Sequence, residues 1–77
     1  MIIVNQNGTN AVNFDNVFSI FIDIDHTKKT IYATSKISRV TVVKLAEYET
    51  EERTKEVWKD MWQRQIAHDT IYHMPKN

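Results

Sequence analysis

The sequence predicts an α+β domain: an antiparallel meander of four to five strands, then one long C-terminal helix and a short extended tail. Three observations predict it. Short runs rich in β-branched and aromatic residues, several of period two, fill the first half with turn residues between them. The period then changes to a stripe of helical spacing with no Gly or Pro inside it. Finally, 77 residues, 42% of them hydrophobic and 26% charged, leave room for one core, so residues 1–77 form a single domain.

The elements follow in order. Ile2-Ile3-Val4 and Ala11-Val12-Asn13-Phe14 flank Asn7-Gly8, a pair suited to the two positive φ angles of a type I′ turn, so the chain opens with a hairpin. Asp15-Asn16 separates this from Phe18-Ser19-Ile20-Phe21-Ile22-Asp23-Ile24, whose alternation places Phe18, Ile20, Ile22 and Ile24 on one face and Val17 and Phe21 on the other. The polar cluster Asp25-His26-Thr27-Lys28-Lys29 is a loop, and Thr30-Ile31-Tyr32-Ala33-Thr34 pairs back. After a second break at Ser35-Lys36, Arg39 to Ala46 is a further β-branched run, and consecutive strands make an antiparallel meander the economical topology. Thr50 caps a helix that carries Glu51 and Glu52 in its first turn, where the helix dipole favours negative charge. Glu51 with Lys55 and Asp60 with Arg64 are acid-before-base pairs one turn apart, and Val57, Trp58, Met61, Trp62 and Ile66 form the apolar stripe that covers one sheet face. Residues 70–77 read as extended up to Pro75, either as an edge strand or as an arm crossing to another subunit.

Composition narrows the function classes. Ten basic and ten acidic residues give a net charge of zero, so no long-range field draws the chain to nucleic acid or to an anionic bilayer. Polar Asn5, Gln6 and Asn7 interrupt the apolar start, which argues against a secretory or membrane-spanning segment and for a cytoplasmic protein. In that setting the sequon Asn7-Gly8-Thr9 reads as a turn. With no cysteine, a core this small has no disulfide to support it, and oligomerisation is the favoured supplement.

Several constellations invite chemistry. Ile20-Phe21-Ile22-Asp23-Ile24-Asp25-His26-Thr27 resembles the first motif of haloacid-dehalogenase-type phosphatases, a resemblance that implies Asp23 as nucleophile and Asp25 as acid/base beside magnesium. That chemistry needs a parallel α/β core with helical crossovers, whereas here a strand returns within a few residues. His26, His68 and His73 suggest a metal, but on a continuous helix His68 and His73 point about 140° apart. One glycine cannot build a phosphate loop, and no serine sits in a nucleophile elbow. The expectation is a non-enzymatic protein with no catalytic residue, no cofactor and no metal.

Partner-binding candidates are clearer. The central strand has apolar residues on both faces, Phe21 and Val17 opposite Ile20 and Ile22, while one helix covers one, which points to self-association; Phe21 and Tyr32 are partner-binding candidates. Trp62 shares a wide apolar arc with Trp58 and is the residue of that pair offered to a partner. The alternative is a nucleic-acid-associated protein using Lys28, Lys29, Lys36, Arg39 and Lys44 at one sheet edge, with Tyr32 for stacking.

Ile2 to Thr9, then Leu45-Ala46-Glu47-Tyr48-Glu49-Thr50-Glu51-Glu52-Arg53-Thr54-Lys55-Glu56-Val57, and finally Tyr72-His73-Met74-Pro75, resemble a group of small proteins encoded by phages and prophages of Gram-positive bacteria. The most specific part is the run from Glu47 to Arg53 at the strand-to-helix junction. The resemblance implies a genetic setting and no particular activity. It makes a host protein, such as a defence or regulatory protein to be inhibited, the partner class to expect beside the chain itself.

Overall fold

The computed structural model describes residues 1–25, 28–36 and 42–77. Six strands, a 3₁₀ turn and one helix follow one another: β1 (Ile2–Val4), β2 (Ala11–Asn13), the turn Phe14–Asn16, β3 (Val17–Ile24), β4 (Lys29–Ser35), β5 (Val42–Tyr48), α1 (Glu51–Ile66) and β6 (Ile71–His73). The fold is α+β as the sequence predicts, with five strands before the helix. With β6 after it, the six strands of the described residues divide between two three-stranded sheets. The antiparallel meander is β3-β4-β5, and the second sheet has the order β2-β1-β6.

The opening hairpin forms, but not with a type I′ turn. Asn5 to Gly8 make the turn, closed by Gly8 N–H donating to Asn5 O at 3.0 Å, so Gln6 and Asn7 are central and only Gly8 takes a positive φ, +71°. The Asn5 side chain decides this. Its Oδ1 accepts from the N–H groups of Thr9 (2.9 Å) and Asn10 (3.1 Å), which holds a loop longer than two residues.

In β3 the expected alternation holds from Ser19 onward and breaks before it. A register shift between Val17 and Ser19 turns Val17 in against the core and leaves Phe18 54% exposed, the reverse of the faces read from strict alternation. A second shift, opposite Ile31 and Tyr32, sets Leu45 and Ala46 of β5 both into the core. The expected strand start at Arg39 lies outside the described residues; within them β5 runs two residues past Ala46, to Tyr48.

Thr50 caps α1 as expected: its Oγ1 accepts from Arg53 N–H at 3.1 Å, and its carbonyl accepts from the buried Thr54 hydroxyl at 2.8 Å. Both predicted surface pairs are present, Lys55 with Glu51 at 3.1 Å and Arg64 with Asp60 at 3.6 Å. The helix ends in a paired 6→1 and 5→2 arrangement, Asp69 N–H to Arg64 O and His68 N–H to Gln65 O, with His68 at φ +62°. Of the apolar stripe, Val57 and Met61 are buried, Trp58 and Trp62 half-buried, and Ile66 is 75% exposed. Ile66 therefore does not cover the sheet, because it sits in the last turn, where the helix has run past its support.

Residues 71–73 resolve the open choice for the tail: β6 is an edge strand of this chain, parallel to β1 with Ile2 opposite Ile71 and Val4 opposite His73. Both sheets and the helix share one core of Ile3, Ile20, Ile31, Leu45, Tyr48, Val57, Met61, Tyr72 and Met74 with Ala33 and Ala46.

Candidate interaction surface

The register of the meander places every residue of β3, β4 and β5 on one face or the other. Ile20, Ala33 and Val43 form one inward row and Ile22, Ile31 and Ala46 the next, both under the helix. Three outward rows lie opposite these: Ser19-Thr34-Val42, Phe21-Tyr32-Lys44 and Asp23-Thr30-Glu47. On the outward face Phe21, Asp23, Val42 and Lys44 are exposed, whereas Thr30 and Thr34 are buried.

Its centre is aromatic. The Phe21 and Tyr32 rings are cross-strand neighbours with centroids 5.5 Å apart and planes 30° from parallel. Phe21 is 39% exposed and Val42 48%, so the face presents apolar side chains to solvent. In the flanking rows the Ser19 and Thr34 hydroxyls share a hydrogen bond of 2.9 Å, and Thr30 is buried beside the aromatic row. One end is charged. Lys44 Nζ donates to Glu47 Oε1 at 2.7 Å and Lys28 Nζ lies 4.0 Å from Glu47 Oε2. The hydrogen bond from Lys44 holds the Glu47 carboxyl below its ordinary value, with the Lys28 and Lys44 charges adding to it and desolvation opposing.

The sequence-predicted residues thus separate into two places. Phe21 and Tyr32 come together on the outward sheet face. Trp62 is on the helix, across the sheet from them, where its ring meets Phe14 edge-on at 5.2 Å and Trp58 at 6.0 Å. Both indole N–H groups are enclosed with no hydrogen-bond partner among the described residues, so the indoles act there as packed rings. Trp58, Lys59, Trp62, Gln63 and Ile66 line a shallow groove along this side.

The remaining constellations are dispersed. Asp23 is exposed on β3 opposite Thr30, and Asp25 N–H donates to Lys28 O in the turn that carries β3 straight into its antiparallel neighbour. His26, Thr27 and Arg39 lie outside the described residues. His68 holds the helix terminus and His73 is on β6. Of the basic residues proposed for a nucleic-acid edge, Lys28 and Lys44 converge on Glu47, while Lys29 falls on the inward register opposite Ile24 and Tyr48.

Sequence reasoning missed Gln6. Its Oε1 accepts from Glu47 N–H (3.0 Å), and its Nε2 lies within reach of the carbonyls of Glu47 (3.1 Å), Pro75 (3.3 Å) and Lys76 (2.8 Å). With Gln6 N–H on Leu45 O at 2.8 Å, this residue occupies the outer edge of β5. A recess of about 560 Å³ nearby, lined by Lys28, Glu47, Tyr48, Thr50, Arg53 and Lys76, is spanned by structural contacts: Arg53 Nε donates to Asn77 O at 2.9 Å and its guanidinium lies 5.9 Å from the Tyr48 ring centre.

No helix among the described residues is long and apolar enough to cross a membrane. No protein-family model matches the sequence, and neither a curated protein nor a solved structure resembles it significantly.

Proposed function

We propose that this chain is a non-enzymatic protein-interaction module, homo-oligomeric, whose working surface is the outward face of the β3-β4-β5 sheet. The observation that carries this reading is the Phe21–Tyr32 pair on the sheet face turned away from the helix, with Phe21 39% exposed. Paired aromatic rings with an apolar neighbour and a charged border have the composition of an interface centre with its rim. The resemblance to small phage and prophage proteins supports a host defence or regulatory protein as the target class. The nucleic-acid alternative receives less support, because Lys44, in the aromatic row, is paired with Glu47 on the same face and the chain has no net charge.

Light scattering over a concentration range tests the reading directly. Self-association is expected; Phe21→Ala is expected to weaken it by about tenfold or more, as loss of an interface anchor does, and Tyr32→Ala, which removes only the ring that supports Phe21, by less. Trp62→Ala, which alters the other side of the molecule, is expected to leave the association constant within about threefold. A chain whose mass is indifferent to both sheet substitutions has its contact surface elsewhere, and the proposal fails.

A further inference from the structure

The two outer edges of the β3-β4-β5 sheet are treated differently by the fold. On the β5 side, Gln6 supplies a backbone donor to Leu45 O and a side-chain acceptor to Glu47 N–H, filling the place of a further strand. On the β3 side, β4 is the only strand hydrogen-bonded to β3, and among the described residues no other backbone bond reaches the stretch from Ser19 to Ile24. The open part of this strand, Ser19 to Ile24, reads SIFIDI and bears Phe21 and Ile24, both exposed. A long apolar edge with unpaired peptide groups is a template for another strand.

We infer that this edge is where a second copy of the chain joins, β3 against β3 in antiparallel register about a two-fold axis at Phe21, making one continuous six-stranded sheet. The inference rests on the proposed homo-oligomeric reading and names its geometry. Three considerations select the register, and the self-complementary pairs it gives along one strand select a second copy as the occupant. First, the register shift at Val17/Ser19 and the turn at Asp25 bound the regular stretch, so its middle lies at Phe21 and Ile22. Second, an isologous antiparallel pair must oppose outward residues to outward ones, or each copy would turn its buried face to water. Third, of the two centres this allows, Ile22 would set Phe21 against the partner's Asp23. A centre at Phe21 sets Phe21 against the partner's Phe21, Ile20 against the partner's Ile22, and Ser19 against the partner's Asp23. That arrangement opposes no like charges and sets each carboxylate beside a polar side chain instead of a ring. It also extends the existing Phe21–Tyr32 pair into a row of four rings across the joined sheet, leaving the outward faces of both copies side by side.

The chain has no cysteine, which makes the register directly testable. Opposed residues of an antiparallel pair lie about 5 Å apart at Cα, inside the range a disulfide spans. Phe21→Cys is therefore expected to form a covalent dimer under mild oxidation. Tyr32→Cys, whose copies would be three strand spacings or about 14 Å apart, is expected to do so at least about tenfold more slowly. Should Phe21→Cys weaken assembly by removing the ring, an equimolar mixture of Ser19→Cys and Asp23→Cys chains is expected to give the mixed disulfide in preference to either like pair. A wild-type chain that is dimeric by light scattering while neither experiment shows this preference overturns the edge geometry and leaves the homo-oligomeric reading intact. A wild-type chain that stays monomeric at every concentration overturns both.

Discussion

The side-chain amide of Gln6 stands beside β5 where a strand would otherwise be, accepting from Glu47 N–H and reaching the carbonyls of the tail. Truncation to alanine leaves those part-buried groups unpaired, so Gln6→Ala is expected to cost about 1–3 kcal/mol in urea denaturation and to speed proteolysis of residues 74–77. Nothing in the sequence marks this role. Asn5-Gln6-Asn7 reads correctly as a turn, but the groups that Gln6 serves are more than forty residues away in the chain, and local pattern carries no record of them. His68 was likewise illegible, since histidine is no usual signal for a helix end. It holds φ +62° to complete the terminal hydrogen bonds, a conformation that costs a side-chain-bearing residue about 1 kcal/mol relative to glycine. His68→Gly is expected to raise the urea midpoint correspondingly, and a lowered midpoint would show that the imidazole makes a compensating contact.

Elements were legible to the extent that their signals are local. Thr50, the acidic first turn and the paired charges one turn apart all lie within a few residues of what they stabilise, and the helix begins where they place it. Thr50→Ala is expected to cost about 1 kcal/mol and Thr50→Asp much less, because aspartate can still accept from Arg53 N–H. Circular dichroism during urea unfolding distinguishes the two. The strand faces were legible only in part. Alternation placed Ile20, Ile22 and Phe21 correctly, but the shift before Ser19 depends on how β3 aligns with β4, so Val17 and Phe18 exchanged roles. Phe21 was legible from alternation and Tyr32 from its aromatic character, but that the two are cross-strand neighbours depends on the register between β3 and β4. Trp62 was read from helical spacing alone, which cannot tell that Phe14 rises from another element to meet it.

At the scale of the whole molecule, two buried tyrosines tie the tail to the body. Tyr48 donates its hydroxyl proton to Pro75 O at 2.7 Å, and Tyr72 donates to Asp60 Oδ2 at 2.9 Å. Burial pushes the Tyr48 hydroxyl up to about 12, with Arg53 opposing. Burial first, and then the hydrogen bond to Asp60 and its charge, push Tyr72 well above its ordinary value. Both folded values exceed that of an unfolded tyrosine near 10, so the folded chain binds more protons than the unfolded one above that pH. The stabilisation is complete below about pH 10 and is lost as pH rises from there through about 12. Urea denaturation from pH 8 upward is expected to show a level region and then a fall, and the double substitution Tyr48→Phe, Tyr72→Phe is expected to flatten that fall. An unchanged alkaline fall in the double variant would place its origin in other groups. The α+β class and the helix-covered meander were predictable from periodicity. The split into two sheets was not, because the parallel contact between β1 and β6 joins the two ends of the sequence.

That contact gives the protein a mechanical polarity. β1 and β6 run in the same direction side by side, held by Ile2 N–H on Thr70 O at one end and Met74 N–H on Val4 O at the other. Tension applied before β1 and after β6 therefore slides the two strands past each other and loads their hydrogen bonds together, in shear. Handles at Met1 and Asn13 would instead peel the antiparallel β1–β2 pair open one bond after another. Single-molecule pulling is expected to need the larger force in the first geometry, so that drawing on the ends of this chain meets its strongest resistance where its first and last strands touch.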